Sequence, residues 1–352
     1  MTALAFLHAC RTYALLGLTA ASLLSASRQP KRLVVELHRK QKENARQVSA
    51  RNLQTSDAAT DSGHRIVLVN NADMQYFLEV TVGGSCKYEN VSSQQTFLVL
   101  PDTGSPDLWL PSINCQSCDF PKYNPKMSCS SSAIGEKLSF QYADGTEVSG
   151  TALTDSVQIG DISVNKQFLV QVDSKLGGSG LSNGILGLSL YPYEYLLNGQ
   201  LWQWLRKGVT QNSQKRAFIW DLFAQHPSLP RQFSLFLSGL DGAHPSRLVF
   251  GDPDVRSYAK EDFVYSRGGN LNLWSATFWS IAWSGAEQVI DFPTSSLHGM
   301  LGGVPALIDS GTSMIILGPD IYDKLVAQIL DLIPACLKFE RCECPSDMSV
   351  LP

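Results

Sequence analysis

Twice in this chain an apolar stretch runs directly into an aspartate, a hydroxyl residue, a glycine and a second hydroxyl residue. The first copy is Phe97-Leu98-Val99-Leu100-Pro101-Asp102-Thr103-Gly104-Ser105. The second, Pro305-Ala306-Leu307-Ile308-Asp309-Ser310-Gly311-Thr312-Ser313, comes 207 residues later. One copy alone is ordinary turn chemistry after a strand. A carboxylate at the end of a buried strand is costly to desolvate, and its pKa rises unless hydrogen bonds or charges offset the burial. Two lobes that each deliver such a loop to one place would set two carboxyls side by side. At that range both cannot ionise, so the pair shares a proton. One member then acts as a base and the other as an acid, which is what attack by water requires.

Further motifs follow in order. Leu108-Trp109-Leu110-Pro111-Ser112 comes after the first loop, and Phe140-Gln141-Tyr142-Ala143-Asp144-Gly145-Thr146 after that. Asn183-Gly184-Ile185-Leu186-Gly187-Leu188, Phe233-Ser234-Leu235-Phe236-Leu237 and Arg247-Leu248-Val249-Phe250-Gly251 complete the series. Together, from about residue 74 to nearly the end, these motifs resemble the pepsin-like aspartic peptidases, the bilobal aspartic endopeptidases of eukaryotes. The resemblance implies an all-β bilobal fold with a few short helices and an incomplete second lobe.

It also implies roles. Asp102 and Asp309 would polarise a water and hydrolyse peptide bonds at acid pH. The ionised member would take the water's proton while the protonated one hydrogen-bonds the scissile carbonyl. Ser105 and Thr312 would hydrogen-bond the carboxyls, Thr103 and Ser310 would tie the loops together, and Gly104 and Gly311 would allow close approach. Tyr142 would be the flap tyrosine, its phenol directed toward Trp109, with Gly145 and Thr146 beside it on the substrate side. Polypeptides are the substrates implied. No metal and no organic cofactor is implied, and a monomer is expected.

Charge divides the chain. Residues 1–51 carry nine Lys or Arg against two acids, and the remainder has 19 basic and 30 acidic residues. An acidic body argues against a nucleic-acid partner. Residues 1–27 have the make-up of a secretory signal, with Arg11 before a short apolar run that ends in Ser25-Ala26-Ser27. Residues 28–70 read as a basic propeptide followed by a polar linker, the basic part suited to an acidic cleft. The N-terminal lobe is expected over 71–255 and the C-terminal lobe over 256–352. No later stretch is long and apolar enough for a membrane span, and no lipid-anchor pattern is seen, so a secreted or vacuolar zymogen is expected. Asn90-Val91-Ser92 is a glycosylation sequon.

Eight cysteines are present, Cys10 of them in the leader. Cys115 and Cys118 have the spacing of either a metal site or a disulfide, and a secretory route favours disulfides. The resemblance implies a Cys115–Cys118 bridge, leaving Cys86 to Cys129. Cys336, Cys342 and Cys344 are an odd set. With the end at Leu351-Pro352, the second apolar-apolar-Gly strand of the family is missing, and the expectation is a truncated second lobe.

Local structure is also legible. A strand is expected over 74–82, hairpins over 137–173, and a helix over 194–208. A second helix should open at Gly318-Pro319-Asp320, with Ile321, Leu325, Ile329 and Leu332 as its buried stripe. Trp274, Trp279 and Trp283 read as packing residues. Two prolines depart from the family pattern. Pro101 removes a backbone donor directly before Asp102, and Pro106 follows the catalytic turn. Pro101, together with the short C-terminus, favours one rival reading, a peptidase-like shell that binds peptides without cutting them. A serine hydrolase is the other enzyme class, and no Gly-x-Ser-x-Gly elbow is present.

Overall fold

The structure, a computed structural model, describes residues 63–71, 75–85, 93–119, 121–177, 184–190, 216–239, 244–252, 273–281, 290–292 and 304–332. They belong to two compact units. One is drawn from Val48–Val255 together with Asp309–Gly311, and the other from the rest of the chain. The described residues are mostly strands, with two α-helices, so the fold is all-β.

The first unit holds an eight-stranded sheet and a three-stranded sheet. Its strands are β1 (Gly63–Val67), β2 (Val69–Asn71), β3 (Gln75–Val82), β4 (Gln95–Asp102), β5 (Leu108–Pro111), β6 (Ser132–Gln141), β7 (Glu147–Ile159), β8 (Ile162–Leu176), β9 (Ile185–Gly187), β10 (Phe233–Phe236) and β11 (Arg247–Gly251). The large sheet runs β2-β3-β4-β9-β5-β8-β7-β6 and the small one β1-β11-β10. The end of the stretch read as propeptide and linker is therefore sheet: β1 lies antiparallel to β11, and β2 to β3.

Period-two alternation explains the core. Along β4, Phe97 and Val99 enter one apolar cluster while Leu98 and Leu100 face a second one across the sheet. Helix α1 (Phe218–Gln225) covers the first cluster with Phe218, Ile219, Leu222 and Phe223. Trp109, Val148, Val170, Val172 and Ile185 make up much of the second. Burying apolar area of this kind stabilises by roughly 25 cal/mol per Å², so these two clusters are the main drive for folding the unit.

Helix α1 was not foreseen. Its N-cap is Ala217, which makes no side-chain cap bond, and its sequence Phe-Ile-Trp-Asp-Leu-Phe is apolar on most sides. Nothing in it announces a helix start, and a short apolar run reads equally well as a strand. The helix expected over 194–208 lies outside the described residues.

The second unit contains β12 (Ser275–Phe278), β13 (Ser280–Ile281), β14 (Ile290–Asp291), β15 (Val304–Leu307) and α2 (Pro319–Leu332). Strand β12 pairs with β15 and β13 with β14, both antiparallel. Pro319 opens α2, where a missing N–H costs nothing, and Ile321 and Leu325 are buried as expected. Trp279 corrects a reading: it is 57% exposed and is not a packing residue among the described contacts.

Candidate active site

Strand β4 carries Asp102 to the middle of the large sheet. On its inner side β9 runs parallel, with Leu100, Pro101 and Asp102 opposite Ile185, Leu186 and Gly187. The amides of residues 187–189 then hold the turn. Gly187 N donates to Asp107 O (3.0 Å), Leu188 N to Asp102 O (2.8 Å) and Ser189 N to Ser105 O (3.0 Å). The Asp102 turn is thus fixed by backbone hydrogen bonds along its length, as a site of fixed geometry needs.

Pro101 fits this arrangement. Its neighbours Leu100 and Asp102 face β9, where Leu100 N donates to Gly184 O at 3.1 Å. Pairing with β3 on the other side ends at Val99. The missing N–H therefore falls where no ladder partner is recorded, and proline is tolerated at such positions. The Pro101 carbonyl is used: it accepts the Ser310 hydroxyl at 2.7 Å.

The two turns interlock. Thr103 N donates to Ser310 Oγ (3.0 Å), and Ser310 N donates to Thr103 Oγ1 (2.8 Å). Each glycine amide donates to the aspartate two residues before it. Gly104 N reaches Asp102 Oδ1 at 2.9 Å, and Gly311 N reaches Asp309 Oδ1 at 2.8 Å. The glycines also cross over. A Cβ on Gly104 would lie 2.6 Å from the Asp309 carboxyl carbon, and one on Gly311 would collide with Asp102 Oδ1. Only glycine leaves room for a carboxyl this close to the backbone.

Asp102 is 5% exposed and shares a side-chain hydrogen bond with Asp309. Burial raises its pKa most, followed by the Asp309 charge and that shared bond. Donation from the Ser105 hydroxyl to Asp102 Oδ2 and from Gly104 N opposes the rise. The net direction is upward, so the pair holds one proton into a range where a free aspartic acid has lost it. Thr312 belongs to the other unit and is half-buried.

The flap motif forms the β6–β7 turn. Tyr142 N donates to Thr146 O (2.8 Å), and Gly145 N to Tyr142 O (3.0 Å). Gly145 has φ +83°, a left-handed value that favours glycine, and open space around it. Thr146 is buried, and its N and Oγ1 both donate to the Asp144 carboxylate at 2.8 Å. Trp109 Nε1 donates to the Tyr142 phenol oxygen at 2.8 Å. Burial drives the Tyr142 pKa well up, helped by the charges of Asp107, Asp102 and Asp144 and opposed by the Trp109 N–H. The sequence reading singled out Tyr142, Gly145, Thr146 and Trp109 but missed Asp107 and Asp144. Asp144 lies inside the tyrosine motif itself, and Asp107 stands two residues before Trp109.

Cys115 and Cys118 form the disulfide expected of them, with Cα atoms 5.5 Å apart. Cys129 is also disulfide-bonded. Cys10, Cys86, Cys336, Cys342 and Cys344 lie outside the described residues, as do the leader, the basic segment and the Asn90 sequon. Among the described residues, no helix is long and apolar enough to cross a membrane. No group of three His, Cys, Asp or Glu side chains among them is placed to hold a metal ion.

Two aspartyl turns thus bond to each other, and their carboxyls form one hydrogen-bonded pair. The chain belongs to the eukaryotic aspartyl protease family, whose family model matches residues 75–334. It is 28% identical over 280 residues to vacuolar protease A of Neurospora crassa, a match covering 78% of this chain. It is 30% identical over 276 residues to cathepsin E of Cavia porcellus and 29% over 287 to cathepsin D of Dictyostelium discoideum, covering 76% and 78% of this chain. The chain spans 61%, 60% and 65% of the lengths of these three relatives.

Proposed function

We propose that this protein is an aspartic endopeptidase that hydrolyses peptide bonds in polypeptides at acid pH. The observation that carries the reading is the crossed packing of Gly104 against Asp309 and of Gly311 against Asp102, which brings the carboxyls within one hydrogen bond. A water held between them is polarised from both sides. The ionised carboxyl accepts its proton, the oxygen attacks the scissile carbonyl, and the protonated carboxyl donates to the developing oxyanion. The proton then passes to the leaving amine and the pair returns to its singly protonated state. Tyr142 closes over the substrate from the flap, its phenol oxygen fixed by Trp109.

The same reading takes the basic part of residues 28–70 as a propeptide that lies against acidic surface until carboxylates protonate. A secretory route is in keeping with the disulfides and with relatives named as vacuolar or secreted proteases. The test is incubation of the purified protein with a denatured protein substrate across acid pH. Cleavage that disappears in Asp102→Asn and in Asp309→Asn supports the proposal. Tight binding of a statine-type peptide with no cleavage at any pH would falsify it in favour of a binding shell.

A further inference from the structure

Strand β1 is built into the folded unit over its whole length. Each residue of Gly63–Val67 has a partner on β11, from Gly63 opposite Gly251 to Val67 opposite Arg247. Strand β11 lies between β1 and β10, so β1 closes one of its edges. Ile66 and Leu68 are buried in the same apolar cluster as Leu248 and Phe250. Beyond β1, Leu68 N donates to Ser246 O and Asn70 Nδ2 to Ser238 O, both at 2.8 Å. His64 Nδ1 meets Asp161 Oδ1, in the β7–β8 turn, at 2.8 Å.

The positive charge stops well before this strand. Residues 28–51 carry eight Lys or Arg, and none follows until Arg65, which is inside β1. Charge complementarity with an acidic body therefore reaches only as far as Arg51. Releasing the chain past Gly63 would strip the edge of β11 and uncover Leu248 and Phe250. It would also leave backbone groups of β11 unpaired, and both losses are costly.

We propose that maturation cuts the chain after Arg51 and no later than the Ser62–Gly63 bond, so that β1 stays as the N-terminal strand of the mature protein. The cut rests on the propeptide reading, whereas retention of β1 rests on its pairing and burial. From sequence the N-terminal lobe is expected to begin at residue 71. The pairing of β1 with β11 carries that boundary back to residue 63.

Trypsin reads the retention directly, because its sites around the boundary are Arg51 and Arg65, with none between. The full chain is digested at neutral pH, folded and in urea, and the N-termini of the products are sequenced. The Arg65–Ile66 bond should be cut at least about 100-fold more slowly in the folded chain, because cleavage there needs β1 to open. The stable product then begins at or before Asn52. A stable product beginning at Ile66 overturns the proposal. In a second arm the full chain is held at acid pH, and the form that cleaves a denatured protein is sequenced. Its first residue should fall within 52–63, and a first residue beyond 63 overturns the proposal. An active form that keeps residues 28–51 overturns the cut and the propeptide reading with it. Absence of cleavage overturns the peptidase reading instead, and in both of these cases the Arg65 bond still decides whether β1 is retained.

Discussion

Ser310 Oγ donates to the Pro101 carbonyl at 2.7 Å and accepts from Thr103 N at 3.0 Å, so one hydroxyl ties a turn to two backbone groups of the other. Removing it strands a donor and an acceptor beside the buried strand end. Ser310→Ala is expected to cost about 1–3 kcal/mol in denaturant unfolding, since unmet buried groups pay their desolvation in full. Ser310→Thr keeps the hydroxyl and should recover most of that loss. Equal midpoints for Ser310→Ala and the parent would show that the interlock contributes nothing.

The crossed glycines make a sharper prediction. A methyl group at 104 would lie 2.6 Å from the Asp309 carboxyl, and one at 311 would overlap Asp102 Oδ1. Both carboxyls must then move apart. A displacement of about 1 Å at reacting groups can cost on the order of 100-fold in rate. Gly104→Ala and Gly311→Ala should each lose that much kcat on a peptide substrate, while far-ultraviolet circular dichroism stays at the parent value. Retained kcat in either variant would contradict the crossed packing.

Much of this site was legible in the sequence for a physical reason. A carboxylate at the end of an apolar run is costly, so its repetition with the same turn residues is informative, and the paired turns follow from it. What escaped was set by tertiary packing. Helix α1 has no capping side chain and an apolar surface on most sides, so neither its start nor its period is marked. Trp279 looked like core because tryptophan usually is, yet it is exposed. Pro101 looked disruptive because a strand residue normally needs its N–H. Which side of β4 that N–H faces, and where the β3 pairing ends, depends on register that no single strand reveals.

Asp155 supports the sheet at a distance from the carboxyl pair. It is fully buried and accepts from Tyr123 Oη (2.7 Å), Ser128 Oγ (2.8 Å), Ser130 Oγ and Ser156 N (2.8 Å). Burial, aided by this partner, raises the Tyr123 pKa, so the phenol remains a donor at every accessible pH. Tyr123 in turn bonds Pro111 O and Ile113 N, next to the strand that carries Trp109. Asp155→Ala would leave several buried donors without an acceptor and should cost about 3 kcal/mol or more. Tyr123→Phe removes one donor and should cost about 1 kcal/mol. Urea midpoints for the two variants check the order, and a larger loss in Tyr123→Phe would refute it.

Stability should fall as pH rises toward neutrality. Asp102 is raised from 3.8 to about 7, by burial first and then by the Asp309 charge. Asp221, in α1, is raised from 3.8 to about 6 by burial, with Arg216 at 3.3 Å opposing the rise. A carboxyl whose folded pKa lies above its unfolded one binds more protons in the folded state between the two values. Its stabilising contribution is complete below about pH 4 and is lost as pH climbs through about 6 for Asp221 and about 7 for Asp102. Each raised unit corresponds to about 1.4 kcal/mol, so the combined loss is of the order of several kcal/mol. Asp102→Asn removes the larger share, and adding Asp221→Asn removes most of the remainder. Denaturant unfolding of the parent and both variants between pH 4 and 7.5 measures the slopes. A parent slope that is flat or positive, or one unchanged in Asp102→Asn, would mean that Asp102 is not a carboxyl held neutral by its surroundings.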